Sequence, residues 1–239
     1  MRKNYILDKK SGLLGAGLFL SLWVSLGVLT GCGATESAAS SSGPATPTAN
    51  YRVTFTSTWS GTTHPDSFPS NPHYSGLIGL THNSGATLWA PGDISSTGME
   101  SMAESGSKTL LTTEINALIA NGTGDIILSG GNINPSPGSV SLDFVATSSH
   151  PLVSLVCMIA PSPDWFVGVR DFLLVEDNEW VGSKTMSLVA WDAGTDDGTI
   201  YTSGDIDTSP KDGISQLTLT PFLVNGSIPY LGTFTFEKL

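Results

Sequence analysis

Apolar and polar residues alternate along several short segments of this chain. In segments 51–56 and 139–144 every second residue is apolar, which is the period of a strand with one buried face. Further strand candidates are bounded by Gly, Pro, Asn or Asp, and they lie at 125–128, 152–159, 166–175, 185–190, 216–224 and 232–236. Many short strands with turn residues between them predict an all-β fold, an antiparallel β-sandwich.

One interruption of this pattern has a helical period. Apolar residues recur at three- and four-residue spacings through 99–103 and again through 110–119. Thr112 or Thr113 is expected to cap the second helix, and the dipeptide 121–122 (Asn-Gly) is expected to end it. The sequence therefore predicts a helical insertion that flanks the sandwich.

The N-terminal residues carry an export signal. Basic residues precede the uncharged, mainly apolar run 13–30, which ends at Gly31 and Cys32. This end resembles the lipobox of bacterial lipoproteins, in which the cysteine is lipidated and becomes the first residue of the mature chain. An uncleaved membrane anchor is the alternative, because a run of 18 such residues approaches the length that spans a bilayer.

These features divide the chain into a signal peptide (1–31), a lipidated Cys32 with a flexible linker (32–50) and one domain (51–239). The linker is rich in Ala, Ser, Thr, Pro and Gly, a composition that buries too little apolar surface to fold. Lipid chains on Cys32 would tether the exported domain to a membrane. Position 33 is Gly rather than the Asp that favours retention in the inner membrane, so we expect the outer membrane or the cell surface.

Acidic residues dominate the mature chain. Without 1–31, six basic residues stand against twenty acidic ones, a formal charge near −14. Such a surface repels phosphate backbones, which argues against nucleic acid as a partner. Cys157 lies inside the apolar run 152–159, so we expect it to be a buried packing residue rather than a nucleophile.

Two segments are more specific than composition, namely 161–169 (PSPDWFVGV) and 191–198 (WDAGTDDG). Together with 55–60 (FTSTWS), 75–79 (SGLIG) and 88–89 (LW), they resemble the spondin domain family of extracellular matrix and adhesion proteins. The resemblance covers most of the predicted domain. It implies an antiparallel β-sandwich that binds a calcium ion.

The resemblance also implies which residues bind calcium. The ligands correspond to Asp143, Asp164 and Asp192, and Asp196 is a candidate for a supporting position behind them. Calcium takes about six to eight oxygen ligands, and carboxylates from distant segments supply both charge and rigidity. By spacing alone, however, 161–164 and 192–198 are also ordinary turn sequences, because Asp, Gly and Pro fill turns in most proteins. The calcium assignment therefore depends on the family resemblance.

The functional prediction is a binding module rather than an enzyme. The sequence contains no nucleophile elbow, phosphate-binding loop or zinc-protease motif. The resemblance implies a membrane-tethered, calcium-binding module for adhesion, or for binding an extracellular protein or glycan. A structural protein of the cell envelope or a hydrolase of the cell surface is the alternative.

Overall fold

The computed structural model describes residue 44 and residues 46–239. The predicted signal peptide, Cys32 and most of the predicted linker lie outside the described residues. The helices are α1 (Thr97–Ser105) and α2 (Thr109–Ala120). The strands are β1 (Thr48–Ser57), β2 (His73–Tyr74), β3 (Ile78–His82), β4 (Gly124–Ser129), β5 (Gly138–Thr147), β6 (Leu152–Ala160), β7 (Trp165–Leu173), β8 (Val175–Glu176), β9 (Glu179–Trp180), β10 (Ser183–Leu188), β11 (Trp191–Asp192), β12 (Ser215–Gln216) and β13 (Gly232–Lys238).

Most of these strands form two antiparallel sheets. The four-stranded sheet has the order β10-β13-β1-β5, and the seven-stranded sheet has the order β12-β11-β7-β6-β3-β4 with β2 also paired to β6. Strands β8 and β9 form a separate hairpin. The predicted fold class, an antiparallel β-sandwich with a small helical insertion, is confirmed.

The main core lies between the two sheets. In β1 the side chains of Tyr51, Val53 and Phe55 are fully buried, while the residues between them are exposed or partly exposed. Strand β6 is buried on both faces, because Cys157 faces the sandwich core and Met158 faces the helices. This two-sided burial explains why β1 alternates in sequence whereas β6 is an uninterrupted apolar run.

The helices cover the outer face of the seven-stranded sheet. Met99 and Met102 of α1 and Leu111 and Ile115 of α2 pack in one buried cluster with Phe166 of β7. The face covered by the helices is the one that the sandwich core leaves open. Within the described part of the chain, neither helix is long and apolar enough to cross a bilayer.

The two helices begin in different ways. Ser96 caps α1, because its Oγ accepts a hydrogen bond from the Met99 N–H at 3.1 Å. Helix α2 begins at Thr109 without a side-chain cap, and the Thr112 N–H already donates to the Lys108 carbonyl. The prediction that Thr112 or Thr113 caps α2 is therefore wrong by about one turn. Gly122, with φ of 75°, follows the end of α2 as expected.

Several elements differ from the predictions. Strand β1 begins at Thr48, inside the predicted linker, and pairs there with β5. The predicted strand 216–224 is reduced to the two residues of β12, and Phe222 is buried from a turn. Strand β3 was not predicted, although it lies between β6 and β4 in the seven-stranded sheet.

Candidate metal centre

Asp164 lies in the tight turn that joins β6 to β7. Ser162 holds this turn, because its Oγ donates to the Ile159 carbonyl at 2.6 Å and accepts from the Trp165 N–H at 3.1 Å. The Asp164 side chain is fully buried. A buried carboxylate is costly unless its oxygens are paired, so the partners of both oxygens decide how the site is interpreted.

The two carboxylate oxygens of Asp164 have different surroundings. Oδ2 accepts hydrogen bonds from the Thr195 N–H at 2.7 Å, the Thr195 hydroxyl at 3.2 Å and the Asp196 N–H at 3.2 Å. Oδ1 is buried and has no hydrogen-bond partner within the described residues. One oxygen is therefore fixed in place, and the other is left without a protein donor.

The donors to Asp164 come from a loop that is itself firmly held. Asp192 Oδ1 accepts the Gly194 N–H at 2.8 Å, and Gly194 has φ of 74°, a conformation that favours glycine. A Cβ at Gly194 would lie 2.3 Å from the Asp212 carbonyl oxygen, so no larger residue fits without movement. The carboxylate of Asp196, which is only 6% exposed, accepts the Gly198 and Ile206 N–H groups at 2.6 and 3.1 Å.

An aromatic cluster anchors the irregular segments around this loop. Trp59 and Trp165 are almost fully buried and both pack against Tyr201, with ring centroids 5.5 and 5.3 Å apart. The Trp59 indole N–H donates to the Tyr201 hydroxyl at 3.3 Å, and Phe222 packs against both Trp165 and Tyr201, with ring centroids 5.1 and 5.8 Å apart. Loops without regular structure are thereby held against the end of the sandwich.

Burial and negative charge raise the pKa values of Asp164 and Asp192. Burial, and then the nearby charge of Asp192, raise the pKa of Asp164 from 3.8 to about 6 despite the hydrogen bonds to Oδ2. Burial is also the main reason why the pKa of Asp192 is raised, with further contributions from the charges of Asp212 and Asp196. None of the groups that shift these two pKa values is a lysine or an arginine.

The residues present fit a hard cation such as calcium. Asp164 has an unpartnered Oδ1 and lies near the carboxylate of Asp192. No basic group is among the charges that shift the pKa values of these two residues, so their negative charge is uncompensated. Within the described residues no group of three His, Cys, Asp or Glu side chains is arranged to hold a metal. The site therefore offers a carboxylate pair, and carbonyl oxygens or water would have to complete the coordination.

The structure does not bring Asp143 to this site, which corrects the predicted set of three ligands. Asp143 lies on β5 of the four-stranded sheet, directly opposite Arg52 of β1. Its two oxygens accept from Arg52 Nε at 2.6 Å and from Nη2 at 2.7 Å, and its side chain is 52% exposed. The guanidinium of Arg52 lowers the pKa of Asp143, which is the opposite of the shifts at Asp164 and Asp192.

Sequence reasoning missed an open cleft beside the carboxylate pair. The cleft has a volume of about 270 Å³, and its lining includes Asp196, Pro163, Glu104 and Asp205. Burial and the charges of neighbouring acidic groups, Asp164 among them, raise the pKa of Glu104. Glu104 is the last acidic residue of α1, and only the packing of that helix against the sheet places it here.

A serine and a histidine at hydrogen-bond distance lie elsewhere in the seven-stranded sheet. His82 Nδ1 donates to the Asn83 carbonyl, so Nε2 accepts from the Ser154 hydroxyl at 2.8 Å. Both side chains are fully buried, and Ser154 Oγ also accepts the Asp171 N–H at 3.1 Å. No substrate can reach this hydroxyl in the described fold, so the pair does not favour a hydrolase.

The chain matches one protein family over most of its length. A family model described as Spondin_N matches residues 49–226, which include the turn of Asp164 and the loop of Asp192 and Asp196. The chain belongs to the spondin N-terminal domain family. Both segments on which the resemblance was based, 161–169 and 191–198, lie inside the matched spondin domain.

Curated relatives agree with this membership. The chain is similar to Spondin-2 of Rattus norvegicus, with 33% identity over 208 residues that cover 83% of this chain and 62% of that protein. It is similar to human Spondin-2, with 33% identity over 71% of this chain and 53% of that protein. For Spondin-1 of Gallus gallus the identity is 35% over 80% of this chain and 26% of that protein. The chain thus spans less than two thirds of each relative, and this spondin domain is the shared part.

Proposed function

We propose that this spondin domain is an exported, non-enzymatic binding module whose calcium-stabilised loops contact an extracellular protein or glycan. The observation that carries the proposal is the fully buried Asp164, one oxygen of which has no partner. A folded protein rarely leaves a buried carboxylate oxygen unpaired unless a ligand or ion completes the site. Family membership supports the coarser part of the proposal, an extracellular module used in binding or adhesion.

Calcium would be held by Asp164 and Asp192. Asp196 would act behind them, because its backbone N–H fixes Asp164 Oδ2 and its own carboxylate holds the Gly198 and Ile206 amides. The ion would supply positive charge to two carboxylates that otherwise repel each other. The loops around 192–198 would then be rigid at one end of the sandwich, which is where a partner can reach them.

The binding role is tested with cells that carry the full-length chain, incubated on arrays of extracellular proteins and glycans. We expect retention on at least one array component in calcium and its loss in a chelator. Asp164→Asn should also abolish retention, because it removes a full negative charge from the ion. Asp143→Asn is the matched control and should bind like the wild type. Equal retention with calcium and with chelator would contradict calcium dependence, and retention nowhere would contradict a binding role.

Membrane tethering is a separate part of the proposal and depends on Cys32. Because the thiol of this residue is the proposed site of lipidation, Cys32→Ser should shift the exported chain from the membrane fraction to the soluble fraction. Cys157→Ser is the control, since Cys157 is buried in the core. Metabolic labelling with a palmitate analogue followed by fractionation measures the effect. A membrane-bound Cys32→Ser chain would favour an uncleaved anchor instead.

A further inference from the structure

A second cleft lies where the edges of the two sheets approach each other, away from the turn of Asp164. Strand β11 pairs with β7 only at Trp165 and Phe166, so among the described residues no strand pairs with this edge of β7 beyond Phe166. Strand β10 is the outer strand of the four-stranded sheet. Between them is a groove of about 190 Å³, lined by Trp89, Trp191, Arg170, Val169, Met186 and Ser187.

Two tryptophan rings contribute to the apolar part of this groove, together with Val169 and Met186. Trp89 is 4% exposed and packs edge-on against Trp191, with ring centroids 5.2 Å apart, and against Phe166 at 5.1 Å. Trp191 is partly exposed. The indole Nε1 of Trp89 is buried and has no hydrogen-bond partner among the described residues. An unpaired buried donor is unfavourable, and departures of this kind from complete hydrogen bonding are found at functional sites.

A β-bulge brings the charged side chain of Arg170 to the groove. The pairing of β6 with β7 shifts between Val153 and Leu155, and opposite this shift Asp171 has φ of 50°. As a result the consecutive residues Arg170 and Asp171 are both exposed, whereas a regular strand would bury one of them. Arg170 Nη1 lies 3.2 Å from Asp171 Oδ2, so the Asp171 carboxylate pairs with the guanidinium that lines the groove.

The bulge is held by the buried polar pair of His82 and Ser154. Ser154 Oγ accepts the Asp171 N–H at 3.1 Å, and His82 Nε2 accepts the proton of the same hydroxyl at 2.8 Å. Two fully buried polar side chains thus fix the backbone at the position where Arg170 meets the groove. An apolar core that includes such a pair favours a specific geometry at that position.

We propose that this groove is a second binding site, which accepts one pyranose ring of a neutral glycan. The ring has an apolar C–H face that matches the indole of Trp191, and its hydroxyls need donors and acceptors at the same rim. Arg170 supplies donors and Ser187 both a donor and an acceptor, while Asp171, which pairs with Arg170, balances the charge of the guanidinium. The volume is below the range of about 300–1,000 Å³ that drug-sized ligands occupy, which fits a single ring better than an extended peptide.

This proposal goes beyond the calcium-dependent function and does not depend on it. The test uses the purified full chain with cellotetraose, the tetramer of N-acetylglucosamine and tetragalacturonate as probes. Saturation-transfer NMR and calorimetry measure binding in calcium and again in EDTA. We expect at least one of the two neutral tetrasaccharides to bind under both conditions.

Two variants should weaken that binding by about tenfold or more. Trp191→Ala removes the stacking ring, and Ser187→Trp fills the groove from an exposed position on β10 without touching the core. Tyr230→Ala is the matched control, because Tyr230 is an aromatic residue that is 58% exposed outside the groove. Melting curves of the variants show whether each is folded. If Trp191→Ala does not fold, the Ser187→Trp variant still tests the proposal.

Four results would overturn the proposal. They are no binding of either neutral tetrasaccharide, binding of tetragalacturonate alone, unchanged affinity in the folded Ser187→Trp variant, and loss of wild-type binding in EDTA. The last result would place the sugar at the carboxylate pair of Asp164 and Asp192. If calcium fails to bind while a neutral tetrasaccharide still binds in both conditions, the calcium-dependent function is contradicted. The proposal of a sugar site in the groove is then still supported.

Discussion

Chelation of calcium is expected to lower the free energy of unfolding by about 2.7 kcal/mol when free calcium initially exceeds its dissociation constant about a hundredfold. For a domain of this size the loss corresponds to a fall of about 5–10 °C in the melting temperature. The physical reason is that the ion binds only the folded chain, in which Asp164 and Asp192 are close enough for their charges to interact. Thermal unfolding in calcium, in EDTA and after calcium is restored measures the effect.

Two variants distinguish the contribution of Asp164 to the calcium response from that of Asp143 on the other sheet. Asp164→Asn should unfold at the same temperature with and without calcium, and in EDTA it should be more stable than the wild type, because it no longer buries a negative charge. Asp143→Asn should keep the full response to calcium, since Asp143 is paired with Arg52 on the other sheet. A wild-type melting curve that is identical in calcium and EDTA would count against the site.

Much of the fold was predictable because local patterns agree with the packing. The alternation in 51–56 and 139–144 corresponds to the inward and outward faces of β1 and β5. The apolar run 152–159 corresponds to β6, which is buried on both faces. Strand β3 escaped prediction because its five residues, which include His82 and Thr81, are all buried. A mixed segment without alternation gives no period by which a strand can be recognised.

The site was only half predictable from the sequence. The family resemblance gave Asp164 and Asp192 as calcium ligands, and the structure brings these two carboxylates close enough for their charges to interact. Asp143 was included on the same grounds, although the alternation of β5 already placed it on the polar face with Ser139 and Ser141. For this residue the two-residue period was the better guide, because a side chain on the solvent face of one sheet cannot reach the loops at the end of the other.

The groove of Trp89 and Trp191 illustrates what a sequence pattern leaves out. Its residues come from β7, β10, β11 and the loop of Trp89, and no local spacing relates these segments. The bulge at Asp171 depends on Ser154 and His82, which approach it only after β3, β6 and β7 have paired. Trp59 and Trp165 pack in the core, whereas Trp191 is partly exposed.

The metal-free protein is expected to lose stability as the pH rises from about 4 to about 6.5. The pKa of Asp164 is about 6 in the folded chain and 3.8 when unperturbed, so the folded state keeps a proton that the unfolded state has released. Above pH 6 the folded state buries a carboxylate, which costs on the order of 3 kcal/mol. Asp192, the pKa of which is also raised, contributes in the same direction.

Urea unfolding of metal-free protein across this pH range measures how steeply the free energy of unfolding falls with pH. Asp164→Asn should remove most of it, because an amide does not titrate. Asp143→Asn should leave it unchanged, since the pKa of Asp143 is lowered by Arg52 and this group titrates below the range. In saturating calcium the slope should reverse, because protons then compete with the ion for the same oxygens. Equal slopes for the wild type and Asp164→Asn would show that Asp164 is not the titrating group. The electrostatic argument for the calcium site would then fail.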